Sequence, residues 1–201
     1  MAPGRDLSIT QFEEPKLARN AVQALLLIDV QAAFVSGQDP APQAEPLLAS
    51  AKNLLAMARQ AGSLVVHVQN DGQAGAVDEP GQPGWQLYLP VQPGETVIRK
   101  SHDDAFDGSD LGAILVEHRV GRLAIAGVMS EMCVAATART ALDRGYRVVL
   151  PHDAHATYDI PAGPGFARPV AAEVVARVAE WSLGDQIELT STSDEVSFEH
   201  V

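Results

Sequence analysis

The stretch Leu123–Arg144, LAIAGVMSEMCVAATARTALDR, decides how the rest of the chain is read. It opens with an apolar run, Leu123 to Val128, short enough for a buried strand. It then passes without a spacer into helical periodicity from about Glu131 to Arg144. The only cysteine of the chain, Cys133, falls in the first turn of that predicted helix. The first backbone N–H groups of a helix lack intrahelical partners, and the helix dipole places partial positive charge there. A thiol so placed is expected to ionise easily, and the thiolate is the form that attacks carbonyls. A lone cysteine is more often a small buried hydrophobe, and Cys133 alone favours that reading, so the choice depends on what else reaches the same place.

Working outward, the flanking segments alternate strand and helix. Upstream, Ala24–Ile28 (ALLLI) is apolar throughout, as expected of a central parallel strand covered on both faces, and it ends at Asp29. Glu45–Ala61 carries Leu47, Leu48, Ala51, Leu54, Leu55 and Ala58 at helical spacing, and Gly62 ends it. Ser63–Gln69 is a second strand, with His67 inside it as a core histidine. Residues 70 to about 95 form a long loop with little pattern, and such loops in compact domains often serve function. Thr96–Arg99 is a brief third strand ending at Lys100, followed by the turn-rich SHDDAFDGSDL and a helix over Leu111–His118. Arg122–Gly127 is the fourth strand. Downstream of the cysteine helix, Gly145 is the stop, Tyr146–Leu150 a fifth strand, and PHDAHATYDIPAGPGFARP a loop with His152 and His155. Val170–Leu183 reads as a helix with Val174, Val175, Val178, Ala179 and Trp181 near one face, and Asp185–Thr190 as a sixth strand. The expected fold is therefore a three-layer, doubly wound α/β structure, a parallel sheet of about six strands with helices on both faces. We expect one domain over residues 1–201, with an extended lead-in at 1–22 and a polar tail at 186–201.

Three reactive residues stand at the C-terminal ends of three predicted strands: Asp29, Lys100 and, just past the fourth, Cys133. Taken singly, Asp29 is as readily a turn cap as a site residue, and Lys100 reads as a surface lysine. In a doubly wound sheet whose order reverses near the first strand, all three ends meet at one crevice. An ammonium beside Cys133 favours the thiolate, and a carboxylate held against the thiol can take its proton and return it to a leaving amine. Free aspartate has a pKa near 3.9, so burial has to raise it for that work. The loop from Gly127 to Cys133 would carry backbone N–H groups over the strand end, where an oxyanion forms.

LLLIDVQAAF, VIRKSHDDAFDGSDL and AGVMSEMCVAATARTALDRGYRVVLPHDA resemble the three signature regions of the isochorismatase-like cysteine hydrolases. That superfamily includes nicotinamidases, N-carbamoylsarcosine amidohydrolase and ureidoacrylate-type amidohydrolases. The likeness runs from about residue 22 to 185. It implies a catalytic triad of Asp29, Lys100 and Cys133, an oxyanion hole from the Met129 and Cys133 amides, and a cis peptide at Val128–Met129. The segment after the second strand, HVQNDGQAGAVDEPG, lacks the metal motif of nicotinamidases, so no metal and no cofactor are expected at this site. The MSEMCVAATART variant, with HATYD downstream, is similar to the subgroup of streptothricin hydrolase, which opens a cyclic amide. The resemblance also implies a homodimer or homotetramer; the apolar residues around Met129–Met132 and the Trp85 loop are candidate contacts.

The leading expectation is a cysteine-dependent, metal-independent hydrolase of a small amide, lactam or carbamoyl C–N bond acting through a thioester. The alternatives are a vinyl-ether hydrolase or inactive binding module on the same fold, or a thiol redox sensor. The sensor has no resolving cysteine and no need of Asp29. Phe34, Trp85, Tyr88, Phe106 and Met132 adjoin the reactive residues in sequence and are expected to line an apolar pocket. Composition agrees with this class. A net charge of −12 opposes a phosphate backbone, which argues against nucleic acid as partner. No apolar run is long enough to cross a bilayer, the start lacks a secretory apolar core, and one cysteine allows no internal disulfide. Together these give the expectation of a cytoplasmic protein with a small-molecule amide substrate and no membrane partner.

Overall fold

The computed structural model describes residues 20–165 and 168–201. Seven strands occur among the described residues: β1 (Ala24–Ile28), β2 (Leu64–Asn70), β3 (Thr96–Lys100), β4 (Arg122–Val128), β5 (Arg147–Pro151), β6 (His155–Ala156) and β7 (Glu188–Thr190). Six of them line up in the order β3-β2-β1-β4-β5-β7, all parallel, and two-residue β6 pairs with the end of β4. The chain builds outward from β1 to β3, then returns to the other side of β1 with β4. That reversal is the switch point at which open parallel sheets bind ligands, beyond the carboxyl ends of the strands.

The apolar strands are covered on both faces. Helix α2 (Ala44–Ala61) lays Leu47, Ala51, Leu54, Leu55 and Ala58 against Leu25, Leu27 and Val65 on one face. Helices α3 (Leu111–Glu117) and α4 (Ala135–Asp143) cover Leu26, Ile28, Val66 and Ile125 on the other. This is the doubly wound arrangement expected. A short helix α1 (Ala32–Val35) follows β1, and α5 (Ala172–Ser182) follows the fifth-strand region. Among the described residues, no helix is long and apolar enough to cross a membrane.

Several boundaries differ from expectation for local reasons. The helix foreseen from Glu131 begins as a π-helical turn, Ser130–Val134, and becomes α-helical only at Ala135. The N–H groups of Met132 and Val134 both bond to the Met129 carbonyl, at 3.1 and 3.2 Å, which widens the turn. On α5 the foreseen apolar face splits: Val175 and Ala179 are buried, whereas Val174, Val178 and Trp181 are exposed. The expected strand 185–190 shortens to Glu188–Thr190 behind a 3-10 turn, Gly184–Gln186. Most of the lead-in expected at 1–22 lies outside the described residues. Its end is structured, because Val22 bridges in parallel to Phe198 of the tail. The tail is packed as well, with Val196 buried and Phe198 against the core of the α2 face.

Gly127 sets the spacing at the switch point. Its φ is +138°, and a Cβ there would meet the Ile28 carbonyl oxygen at 1.9 Å. Only glycine lets β4 pass so close to the end of β1.

Candidate active site

Asp29 leaves β1 in a left-handed turn, φ +51°, with its N–H bonded to Val68 of the neighbouring strand at 3.0 Å. Lys100 is the last residue of β3 and lies opposite Asn70 of β2, so its side chain must cross β2 to reach the sheet centre. It does so: Nζ lies 2.7 Å from Asp29 Oδ2 and 3.3 Å from Cys133 Sγ. Asn70 Oδ1 accepts a third bond from Nζ at 3.3 Å. The Asp29 and Lys100 side chains are only 3% and 0% exposed, so the pair is sealed from water, while Cys133 stays partly accessible. Asp29 Oδ1 is buried and receives no hydrogen bond among the described residues, which leaves a lone pair for a thiol proton.

The electrostatics follow from that burial. Asp29 is raised above the ordinary carboxylate range, chiefly by desolvation, although the Lys100 ammonium pulls the other way. Burial works against a charged Lys100, yet the Asp29 charge and the hydrogen bonds to Asp29 and Cys133 outweigh it and raise its pKa, so the ammonium persists. Cys133 is pushed up to about 12, first by burial and then by the Asp29 charge, against the opposing pull of Lys100. The expectation of an easily ionised thiol is therefore overturned. Desolvation and a buried carboxylate exceed what a lysine and a helix start supply. The resting site is a neutral thiol beside an ion pair.

Surrounding groups that the sequence did not single out hold this geometry. Gln31, fully buried, donates through Nε2 to the carbonyls of Asn70 and Trp85 at 3.0 and 2.9 Å, and its Oε1 accepts from the Asn70 N–H at 2.8 Å. That ties the 70–95 loop to the exit of β1. Asn70 Nδ2 is in turn held by Asp78 at 2.6 Å. The loop after β3 docks on α4, where the Ala105 N–H donates to Thr137 and Thr140 donates to Asp104. This brings exposed Asp103 to the site, 3.8 Å from Cys133 Sγ. A polar residue three places after a buried strand was the available signal for Gln31. Asp103 is one of several loop carboxylates, and nothing in the sequence marked it.

The foreseen pocket residues do not converge. Phe106 is buried beneath the sheet, stacked on Tyr146 and under Arg144, because its loop turns back into the α4 face. Trp85 bonds through Nε1 to Asp71, lies under Arg99, and lines a shallow groove with Leu87, Leu89 and Val97. Tyr88 lines a different groove with Pro40 and Lys52 near α2. Phe34 packs half-buried on the α2-face core, and Met132 is exposed next to Cys133. A cleft of about 870 Å³ beside α1 is lined instead by Ala33, Asp39, Val77, Glu79, Gly84 and Tyr158. Adjacency in sequence failed here because loop side chains point where backbone turns send them.

His67 is a core histidine, 2.9 Å from Glu95, which also pairs with Arg59. The Val128–Met129 peptide is cis, at the position the resemblance implied.

Comparison with known proteins places the chain among relatives of one family. Streptothricin hydrolase of Streptomyces noursei is 59% identical over 179 residues, covering 88% of this chain and 71% of that protein. A second streptothricin hydrolase of the same organism is 58% identical over 179 residues, covering 88% of this chain and 65% of the relative. The chain thus spans about two thirds of the length of these relatives. A crystal structure of an isochorismatase from Pseudomonas putida KT2440 superposes with a TM-score of 0.79 at 29% identity, covering 87% of this chain and 90% of that one. The isochorismatase domain family itself matches residues 23–174, three quarters of the sequence, and the chain belongs to that family of hydrolases.

Proposed function

We propose that this chain is a cysteine-dependent hydrolase of a cyclic amide or other small C–N bond, with streptothricin as the first substrate to test. One observation carries the reading: a single buried ammonium, Lys100 Nζ, lies 2.7 Å from Asp29 and 3.3 Å from Cys133 Sγ, although the three residues come from three separate strand ends. The similarity to the streptothricin hydrolases supports the choice of substrate.

With the thiol neutral at rest, attack and proton transfer occur together. Cys133 Sγ bonds to the substrate carbonyl carbon as its proton passes to Asp29 Oδ1. The oxyanion is received by the backbone N–H groups of Met129 and Cys133. The intermediate collapses, the C–N bond breaks, and the leaving nitrogen takes the proton from Asp29, which leaves an acyl thioester on Cys133. Asp29 then draws a proton from water as the hydroxide adds to the thioester; release of the carboxylic acid returns the proton to sulfur. A raised Asp29 pKa suits a group that must carry a proton in alternate steps. Lys100 keeps Asp29 oriented and offsets part of the cost of a transient thiolate.

Incubation with streptothricin, followed by mass spectrometry, tests the reading. The expected result is a product heavier by one water, with a transient acyl adduct on Cys133. Cys133→Ala should abolish both while leaving the melting temperature nearly unchanged, since it removes little volume. Hydrolysis that survives Cys133→Ala refutes the role of the thiol. Self-association as a dimer or tetramer is part of the same proposal, and light scattering that returns a mass near 21.3 kDa would refute it.

A further inference from the structure

Two histidines and a glutamate outside the thiol site converge on one point. His152 sits on the 3-10 turn after β5, His155 begins β6, and Glu180 projects from α5. Glu180 Oε1 lies 2.5 Å from His152 Nδ1 and 3.0 Å from His155 Nε2, and the three ligand atoms all fall within 4.8 Å of one another. The Glu180 and His155 side chains are 2% and 1% exposed, whereas His152 is 57% exposed. Glu180 is held below the usual glutamate pKa: burial works against ionisation, but the hydrogen bonds and charges of the two histidines outweigh it.

Ser130, His155 and Glu180 also stand in the order of a hydrolytic triad, with Ser130 Oγ 2.8 Å from His155 Nδ1. Ser130 and His155 are buried, at 1% and 5% exposure, so no substrate carbonyl reaches that hydroxyl. The arrangement fits a metal better. Both imidazole nitrogens aim at the same carboxylate oxygen, so a cation admitted among the three by side-chain rotation would replace those two contacts. Glu180 Oε2 stays with Arg177, 3.2 Å away, which leaves Oε1 as a one-oxygen ligand. A His155 metallated at Nε2 must carry its proton on Nδ1, and Ser130 Oγ is placed to accept it, as the partners of metal-bound histidines usually do. Exposed His152 gives an entry path and leaves room for water in the remaining positions.

We propose that His152, His155 and Glu180 form a structural site for a divalent transition metal of the zinc class, completed by water, which clamps α5 to the β5–β6 junction. Two imidazoles with one carboxylate favour Zn²⁺ or Co²⁺ over Mg²⁺ and Ca²⁺, which prefer an all-oxygen shell. The site shares no residue with the proposed hydrolytic chemistry, so the two readings fail separately.

The test titrates the full, chelator-treated protein with Co²⁺ and then Zn²⁺. One equivalent of Co²⁺ should bind with visible d–d absorption, Zn²⁺ should displace it and raise the melting temperature, and Mg²⁺ should do neither. His152→Ala loses an exposed side chain and should fold, yet weaken Co²⁺ binding by about a hundredfold or more, since losing a ligand costs at least as much as losing an outer-shell partner. Alkylation of Cys133 should be unchanged in that variant. Binding well below one equivalent overturns the proposal, as does His152→Ala binding Co²⁺ as tightly as the parent. So does a Co²⁺ spectrum with sulfur charge-transfer bands that vanish in Cys133→Ala.

Discussion

Replacing Asp29 by asparagine should move thiol reactivity and hydrolysis in opposite directions. Lys100 Nζ is 2.7 Å from Asp29 and 3.3 Å from Cys133 Sγ, so carboxylate and sulfur are at most about 6 Å apart. At an effective dielectric of about 20, two unit charges at that separation interact by roughly 3 kcal/mol, or about two pKa units. Asp29→Asn removes that repulsion and leaves Lys100 to face the thiolate alone. The Cys133 pKa should fall from about 12 toward roughly 10. At neutral pH that means about a hundredfold more thiolate. Iodoacetamide labelling followed by mass spectrometry reads this directly, because the chain has a single cysteine. The parent should label slowly, with a rate still climbing at pH 10, and the variant should label roughly a hundred times faster at pH 7.5. Hydrolysis should nonetheless be lost, since asparagine cannot take the thiol proton. A variant that labels no faster, or a parent whose rate levels off near pH 8, would refute the reasoning.

Two further perturbations probe the frame around the site. Gly127→Ala places a Cβ 1.9 Å from the Ile28 carbonyl at a φ of +138°. It should cost about 3 kcal/mol or more, seen as a lower urea midpoint, and an unchanged midpoint would mean that β1 and β4 are not so close. Glu95 lies near pKa 2 although burial opposes its charge, because Arg59, the Gln92 N–H and His67 all favour the carboxylate. A folded pKa below the reference 4.5 stabilises the protein above that pH, and the gain is lost as pH falls through 4.5 toward 2. Glu95→Gln should therefore destabilise at pH 7 by an amount that shrinks as the solution is acidified, measured by urea melts from pH 7 to 3. A gap that stays constant over that range would contradict it.

The sheet was legible because β1 is apolar throughout and β2, β4 and β5 carry short apolar runs, which located both the elements and their carboxyl ends. Asp29, Lys100 and Cys133 were legible for the same reason, since strand ends fix positions without knowledge of side-chain direction. The ionisation state of the thiol was not. It is a sum of burial and two neighbouring charges, and burial is a property of everything packed around Cys133 rather than of its segment. Pocket residues failed similarly: Phe106 and Tyr88 lie near the reactive residues in sequence, but their loops turn one beneath the sheet and the other toward α2. On α5, periodicity found both Val175 and Trp181, yet nothing in the pattern said that the sheet stops short of the second. The His152–His155–Glu180 group stayed hidden because its third member lies on α5, distant in sequence from the two histidines, and periodicity alone does not join them.

The left-handed turn at Asp29 bears on how its variants are to be interpreted. With φ at +51°, position 29 suits glycine, asparagine and aspartate, and strains a residue branched at Cβ. Asparagine is thus the cleanest chemical probe, changing an oxygen to a nitrogen while keeping a backbone preference for the same turn. Alanine or valine would disturb the exit of β1 and the Gln31 bonds beyond it, and inactivity in such variants would record a displaced loop. At this position, tolerance to substitution measures the turn, and thiol labelling measures the chemistry.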